Sequence, residues 1–289
     1  MEQRGMNERI RKLRALSVNT PPHIDMERAK IMTETYRRDE GVLSVPQLRA
    51  QALKDYFSQK TLYLGEGELI VGEKGDSPQG APTFPELCCH SVEDMRLMNE
   101  RELIRFQVTP EDMALQEKVM IPFWKERCIR SRIFRQMTPE WKKAYECGIF
   151  TEFMEQRGPG HTVGSSKIYE KGLLDYQQDI QEAIDRLDFF QDPHALERKE
   201  ELEGMYTACE ALMILAARYS KYARELAEQE GDGQRRVELL QIAENCAVVP
   251  AHRPQTYWQA LQMYWFVHLA VTSELNPWDA YSPGRLDQH

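Results

Sequence analysis

Apolar residues along most of the chain recur every three or four positions, which is the spacing of amphipathic helices. Thr, Asp or Pro stands at the start of several of these runs, as is typical of helix N-termini. An uncharged run from Gln255 to Ser273 predicts one further helix that is buried on most sides. The other predicted helices cover residues 8–16, 25–38 and 46–57, positions from 110, 139 and 193 onward, and 235–246. The pattern as a whole predicts a mainly α fold.

Two short stretches depart from the helical pattern. Residues 69–71 are apolar and partly β-branched, and they follow two glycines, which predicts a brief strand. The next fourteen residues, Gly72 to Pro85, contain three glycines and three prolines, which no regular element tolerates. That composition is typical of a surface linker between domains, but the apolar Phe84 within it favours an ordered loop packed on the body.

The composition is that of a folded protein rather than a disordered one. Of 289 residues, 42% are hydrophobic and 29% charged, and 46 acidic against 37 basic residues leave a net charge of −9. The acidic balance argues against a general nucleic-acid or anionic-membrane surface. Gln and His residues inside the run 255–273 make a membrane span costly, so no membrane association is predicted. Without an apolar secretory segment and with only six cysteines, the chain is expected to be a soluble cytoplasmic protein.

Metal and nucleotide motifs of known spacing are not found in the sequence. Cys88-Cys89-His90 places two cysteines side by side, where their side chains point apart, and no Cys-x-x-Cys pair accompanies them. Half-buried thiols in an ordered loop are the preferred interpretation, and no metal site is predicted. The glycines at 72–75 and 158–160 lack the spacing of phosphate-binding loops. No local feature marks any of the six cysteines as an activated nucleophile.

Two loops carry residues suited to binding a small molecule. In residues 150–166, His161 follows a Gly-Pro-Gly turn, where the backbone can approach a ligand closely and a histidine can transfer a proton. In residues 276–289, Asp279 lies beside a tryptophan and could orient a hydroxyl or an amine. Each also has an ordinary interpretation: His161 as a loop histidine bonded to a carbonyl, and Asp279 as an Asx turn or an ion pair with Arg285. Composition and spacing therefore leave the function open.

Longer segments resemble the N-terminal part of the glycyl radical enzymes of the pyruvate formate-lyase superfamily. The segments that carry this resemblance are Asp25–Ala29, Glu66–Gly72, Pro122–Trp124, Gly160–His161, Pro250–Thr256 and Ser282–Gln288. Within the superfamily the likeness is greatest to the trans-4-hydroxy-L-proline dehydratases. The stretches shared with that group are Gly72–Pro78, Gly80–His90, Phe150–Arg157 and Glu274–Asp279.

This resemblance implies a fold, a reaction and partners. The chain would form the helical N-terminal part of a ten-stranded α/β barrel, with residues 1–289 as one portion of a pyruvate formate-lyase-like domain. The cofactor of such enzymes is a glycyl radical, which a radical S-adenosylmethionine activating enzyme installs, and the enzymes are often anaerobic homodimers. A thiyl radical on a central cysteine takes hydrogen from the substrate, and loss of water from trans-4-hydroxy-L-proline would give pyrroline-5-carboxylate.

The resemblance also assigns roles to residues of this chain. His161 and Asp279 would hold the substrate hydroxyl and ring amine, and Phe153 would form part of an apolar wall. The family's radical cysteine, acid–base glutamate and radical glycine lie beyond residue 289, so no catalytic residue is expected in this chain and it should be inactive alone. Two alternatives stay open. One is part of another glycyl radical C–O or C–X lyase acting on a diol or an amine; the other is a non-catalytic helical subunit that pairs with a separate chain.

Overall fold

The computed structural model describes residues 6–149 and 166–274. Helices dominate these residues, and two short strands pair in parallel with His23 opposite Gly80. The helices are α1 (Glu8–Asn19), α2 (Glu27–Asp39), α3 (Val45–Gln59), α4 (Val92–Glu100), α5 (Pro110–Leu115), a π-helical turn (Gln116–Met120), α6 (Ile121–Trp124), α7 (Ile129–Gln136), α8 (Pro139–Glu146), α9 (Lys167–Glu170), α10 (Leu173–Asp185), α11 (Ala195–Gln229), α12 (Gly233–Val248) and α13 (Tyr257–Glu274). The strands are β1 (His23–Asp25) and β2 (Gly80–Pro82). The mainly α prediction is confirmed.

Local sequence signals set several helix starts. The hydroxyl of Thr109 accepts a hydrogen bond at 3.1 Å from the backbone N–H three residues later, and Thr138 does the same at 3.4 Å. Both predicted Thr-Pro helix starts, of α5 and α8, are therefore confirmed. Helix α2 was predicted over residues 25–38, but it begins at Glu27, and Met26 rather than Asp25 is its N-cap residue. The carboxylate of Asp25 instead accepts from the N–H of Glu27 at 2.7 Å.

The main hydrophobic core surrounds α11. This 35-residue helix packs against α3, α10 and α12, and α13 contributes to the same core. Aromatic side chains fill it: Tyr56, Phe57, Tyr219 and Phe266 are each at most 1% exposed. The uncharged run at 255–273 forms α13, so its prediction as a buried helix is confirmed. Among the helices that the structure describes, none is long and apolar enough to span a membrane.

A smaller apolar cluster shares α2 with the main core. It contains Ala29 from α2, Met95 from α4, Met120 from the π-helical turn and Trp124 from α6. The indole N–H of Trp124 donates to the hydroxyl of Thr33 on α2 at 2.8 Å, so the polar atom of this large ring is satisfied inside the cluster. Helix α2 therefore contributes buried side chains to both clusters.

The predicted strand at residues 69–71 is wrong. The backbone N–H and C=O of Val71 are both hydrogen-bonded at 2.9 Å, but their partner is the side-chain amide of Gln262 on α13 and not another strand. A strand or a side-chain amide can satisfy the backbone groups of a short apolar stretch, and the local pattern does not distinguish the two. The loop from Gly72 to Pro85 is ordered and packed on the body, as predicted, since it contains β2 and pairs there with β1.

Candidate active-site support at the end of the buried helix

The residues predicted to bind substrate, Phe153, His161 and Asp279, lie outside the described residues. Their roles therefore stay predictions. The structure shows the elements next to them: α8 and α9 flank the first predicted loop, and α13 leads into the second. The candidate site therefore comprises the described residues around the C-terminal end of α13.

One face of α13 binds the main chain of residues 69–72. Trp258 and Trp265 donate their indole N–H groups to backbone carbonyls of this segment at 2.7 and 2.6 Å. Gln262, between them, makes the two bonds to Val71. Steps of four and three residues keep these three side chains on one helix face. Side chains of α13 thereby make the backbone hydrogen bonds that a neighbouring strand would make in a sheet.

Gly72 permits α13 to approach this segment closely. Its φ of +125° is a conformation that residues with a side chain rarely adopt. A Cβ atom at this position would lie 2.4 Å from Cδ1 of Leu269 and 3.2 Å from the indole of Trp265. The missing side chain is therefore needed both for the backbone conformation and for the packing of the helix.

The C-terminal end of α13 is bound by the guanidinium group of Arg28. This fully buried residue of α2 donates from Nε to the carbonyl of Ser273 at 2.7 Å and from Nη2 to the carbonyl of Glu274 at 2.8 Å. The last carbonyls of a helix have no partner within it, and the negative end of the helix dipole favours a cation beside them. Arg28 also binds the carbonyl of Thr83, at 3.2 Å, and the carboxylate of Glu86. One side chain thus joins α2, the loop around β2 and the end of α13.

Aromatic and charged groups surround this guanidinium. It lies 3.8 Å from the ring centroid of Phe84, and the ammonium of Lys74 lies 5.5 Å from the same ring, both within cation–π distance. Burial, and then the charge of Arg28, lower the pKa of Lys74 to about 8. Burial, and then the carboxylate of Glu86, raise the pKa of Tyr36 to about 12. The surroundings of the Arg28–Glu86 ion pair therefore favour the neutral forms of nearby groups.

A second arginine fixes the last side chain of α13. Arg49 of α3 donates from Nε and Nη2 to the two carboxylate oxygens of Glu274, at 2.6 and 2.5 Å. Such paired bonds orient the two groups as well as attract them. Burial lowers the pKa of Arg49, but the hydrogen bonds and charge of Glu274 outweigh burial and leave the pKa raised. Both the main chain and the side chain of Glu274 are therefore held by arginines, one from α2 and one from α3.

Lys60 holds the turn at residues 73–75, which precedes the loop around β2. Its ammonium, on a residue only 2% exposed, donates to the first and last carbonyls of this turn at 2.5 and 3.1 Å. The hydroxyl of Tyr56 donates to the carbonyl of Lys74 at 2.9 Å. Burial lowers the pKa of Lys60 to about 8. These bonds fix the turn against the end of α3.

Helix α9, which follows the first predicted loop, is buried beside α13. Ile168 and Tyr169 of α9, which follow that loop, are each 5% exposed and belong to the main core. Helix α9 packs on α13, and burial, and then Tyr264 of α13, raise the pKa of Tyr169 to about 12. The helix that follows the first predicted loop therefore packs on the helix that precedes the second.

Burial keeps the thiols of three cysteines protonated near neutral pH. It raises the pKa of Cys89 to about 12, that of Cys209 to about 11 and that of Cys246 to about 12. Cys88 and Cys89 are half-buried, which confirms the interpretation of the Cys-Cys-His segment as thiols in an ordered loop. The described part of the chain contains no group of three His, Cys, Asp or Glu side chains that could hold a metal ion.

Three charged residues of this site had no role predicted from the sequence: Arg28, Arg49 and Lys60. A signal existed for Arg28, because Ile31 and Met32 follow it at helical spacing and place a charge on an apolar face. A charge in that position requires a buried partner. Arg49 carries the same signal, because Ala52 and Leu53 follow it at helical spacing. Lys60 is flanked by polar residues typical of an exposed surface, so the local sequence carries no such signal for it.

Comparison with known proteins identifies relatives of this chain. The pyruvate formate lyase-like family matches residues 6–289. The chain is 54% identical over 286 residues to the trans-4-hydroxy-L-proline dehydratase of Clostridioides difficile. It is 28% identical over 299 residues to an isethionate sulfite-lyase of Nitratidesulfovibrio vulgaris. Both alignments cover 99% of this chain but 36% of the relative.

Solved structures give the same relationship. The crystal structure of the hydroxyproline dehydratase from C. difficile with trans-4-hydroxy-L-proline bound matches with a TM-score of 0.93 at 55% identity, covering 99% of this chain and 36% of that one. The glycerol-bound B12-independent glycerol dehydratase from Clostridium butyricum matches with a TM-score of 0.89 at 27% identity, covering 99% and 37%. The chain thus spans little more than a third of the length of these proteins. It belongs to the pyruvate formate lyase-like family, whose helical N-terminal portion its described residues match in fold.

Proposed function

We propose that this chain forms the N-terminal part of a glycyl radical dehydratase that removes water from trans-4-hydroxy-L-proline to give pyrroline-5-carboxylate. The observation that carries the proposal is the 54% identity to the C. difficile dehydratase, against 28% to the isethionate sulfite-lyase over the same share of the chain. The TM-score of 0.93 to the substrate-bound structure supports the same choice. In this proposal residues 1–289 are one portion of a pyruvate formate-lyase-like domain.

We assign the substrate contacts to the residues that the sequence singles out, His161, Asp279 and Phe153. A histidine can donate to or accept from a hydroxyl group, and a carboxylate can pair with a protonated ring amine. A phenyl ring beside them excludes water from the bound substrate. The described neighbours of the two segments support this assignment, because α9, which follows the first segment, packs on α13, from which the second segment continues.

The radical chemistry belongs to residues outside this sequence. In the complete enzyme the glycyl radical supplies the hydrogen abstraction that starts the reaction. The six cysteines of this chain do not fit the radical cysteine, since none stands in a segment of the family's type. We therefore propose that the chain binds no cofactor and is inactive alone. The complete enzyme is proposed to be a cytoplasmic homodimer that depends on a radical S-adenosylmethionine activating enzyme.

An anaerobic assay of site variants tests this function. The complete open reading frame that contains this chain is expressed and activated, its radical content is measured by electron paramagnetic resonance, and pyrroline-5-carboxylate is quantified. We expect His161→Ala and Asp279→Asn each to lower kcat/KM by about 100-fold or more at unchanged radical content. His194→Ala, at an exposed histidine paired with Glu197, is the matched control and should keep wild-type activity. Wild-type turnover in both site variants would contradict the assignment.

The alternatives lead to different observations. Another glycyl radical C–O or C–X lyase would turn over a diol or an amine and leave trans-4-hydroxy-L-proline unchanged. A non-catalytic split subunit would be encoded by a frame that stops after the codon for His289, with the radical-bearing segments in a second frame. The DNA sequence downstream of that codon, together with a substrate panel, separates the three.

A further inference from the structure

Two buried charges of opposite sign lie beside residues 73–83, which we call the β2 segment. Lys60, at the end of α3, is 2% exposed, and Asp25, at the end of β1, is 4% exposed. Within the described part of the chain, the ammonium of Lys60 donates to main-chain carbonyls and not to a carboxylate. One carboxylate oxygen of Asp25 accepts from the N–H of Glu27, and the other is buried without a hydrogen-bond partner. Both charges are therefore buried without an ion pair, which is costly.

The two residues hold opposite ends of the β2 segment. At its start, the ammonium of Lys60 donates to the carbonyls of Glu73 and Gly75 at 2.5 and 3.1 Å. At its end, the main-chain carbonyl of Asp25 accepts from the N–H of Thr83 at 3.2 Å. Opening of the segment therefore admits water to both buried groups.

The β2 segment itself makes few buried contacts. It lies between Val71 and Leu87, which are 0% and 4% exposed. Of residues 73–83, Gly75 alone is buried, and the three residues of β2 pair with the three of β1. Short strands with few buried apolar contacts open more readily than a core helix. The segment thus has the properties of a unit that opens separately from the rest of the fold.

Neighbouring charges do not remove the cost of burying Lys60. Burial lowers the pKa of this residue to about 8. Three carboxylates that face it oppose the effect and one guanidinium adds to it, and these groups belong to Asp25, Glu27 and Glu73, and to Arg218. The ring of Tyr56 lies 5.6 Å from the ammonium. Lys60 therefore gives up its proton more readily in the closed segment than in water.

The surroundings of Asp25 have the opposite effect on its proton. Burial, and then the charges of Asp76 and Glu27, raise the pKa of Asp25 to about 6, although the Glu27 N–H and the charge of Lys60 lower it. Asp76 belongs to the β2 segment and is itself paired with His23 of β1 at 2.8 Å. Asp25 therefore holds a proton more tightly in the closed segment than in water.

We propose that the β2 segment is a pH-sensitive element that opens most readily near neutral pH, where both buried side chains are charged. In acid, Asp25 takes up a proton and a buried negative charge disappears. In alkali, Lys60 loses a proton, and its neutral amine still has N–H groups to donate to the carbonyls. In the open segment both groups are in water and have their ordinary pKa values, so loss of either charge stabilises the closed form.

Hydrogen exchange of the complete protein at pH 5, 7 and 9 tests this proposal. For the amides of Gly80 and Thr83, the ratio of the measured to the intrinsic exchange rate gives the opening equilibrium at each pH. We expect the most opening at pH 7, and about tenfold less at both pH 5 and pH 9. Amides in the middle of α11 should open at least about tenfold less often at each pH, because they report unfolding of the core. An opening equilibrium that does not change with pH, or one as small as that of α11, would overturn the proposal.

Two variants assign the two sides of this profile. Asp25→Asn should lose the fall at pH 5 and keep the fall at pH 9. Lys60→Gln, which keeps a neutral N–H donor, should do the reverse. The matched control is Lys54→Gln, at a lysine of α3 that is 31% exposed and paired with Glu210 at 2.7 Å, and it should keep both falls.

Retention of both falls in Asp25→Asn and in Lys60→Gln would overturn the assignment to these residues. The wild-type profile and Asp25→Asn test the proposal even where Lys60→Gln does not fold. The exchange measurement needs neither radical nor substrate, so its outcome is independent of the proposed function.

Discussion

At the scale of single residues, Gly72 combines a backbone constraint with a packing constraint. Its φ is +125°, and an added Cβ would lie 2.4 Å from Leu269. We expect Gly72→Ala to lower the free energy of unfolding by about 3 kcal/mol, from strain and overpacking together. The matched control is Gly41→Ala, at a φ of +82° with nothing within 4 Å, which should lose about 1 kcal/mol from backbone strain alone. Urea unfolding measures both, and equal losses would contradict the packing argument.

Some hydrogen bonds can be predicted from the sequence because the two partners are close together in the chain. The Thr109 and Thr138 caps bond to N–H groups three residues away. Arg28 could not be read in this way, because its partner Ser273 is 245 residues distant in sequence. Lys60 binds main-chain carbonyls only 13 and 15 residues away, but the sequence does not predict these bonds. Every residue has a main-chain carbonyl, so no residue type marks the partners of a buried lysine. The family resemblance identifies the chain's relatives from the sequence. The residues that bind the end of α13 are identified only in the folded structure.

At the scale of elements, α13 supports the segment at residues 69–72 through its side chains. Gln262 is 1% exposed and bonds both backbone groups of Val71, which is fully buried. Gln262→Met keeps the size of the side chain and leaves two buried backbone groups unpaired, so we expect a loss of about 3 kcal/mol in unfolding free energy. The matched control, Gln178→Met, removes only a bond to Glu182 between two exposed side chains and should cost less than about 0.5 kcal/mol. A comparable loss at both positions would contradict this support.

The same segment shows where element prediction from sequence stops. Apolar and β-branched character at residues 69–71 correctly indicates a segment that packs on the body, since Val71 is fully buried. It does not indicate which partner satisfies the backbone hydrogen bonds. A strand neighbour and a glutamine from a distant helix meet the same requirement, and the choice depends on how the whole chain packs.

At the scale of the whole molecule, stability should depend on pH through Asp25, which lies between β1 and α2. The pKa of Asp25 is raised to about 6. Burial is the largest cause, and the charges of Asp76 and Glu27 also raise the pKa. The hydrogen bond from the Glu27 N–H and the charge of Lys60 lower the pKa but do not offset these effects. A raised pKa means that the folded state holds the proton more tightly, so stability present below about pH 4 is lost as pH rises through 6. Asp25→Asn should remove this loss, which is on the order of 3 kcal/mol. Parallel pH profiles of unfolding for the two proteins between pH 4 and pH 7 would contradict the assignment.

The whole molecule also decides what its parts can do. The chain matches 36% of the length of the C. difficile dehydratase and contains, in the proposed assignment, substrate-binding residues without the radical-bearing ones. In that assignment α13 and the arginines that bind its end form a scaffold for a site that the complete protein would supply. Function therefore has to be tested on the complete protein, while the packing predictions above apply to the chain itself.

The most direct test of the central claim is the ratio of kcat/KM for trans-4-hydroxy-L-proline to that for glycerol, measured anaerobically on the complete, activated protein. A site built to bind the ring amine and the hydroxyl together should reject a substrate without the amine, so we predict a ratio of at least about 1,000, with pyrroline-5-carboxylate as the product. A ratio near one or below, or no pyrroline-5-carboxylate from protein with full radical content, would contradict the claim.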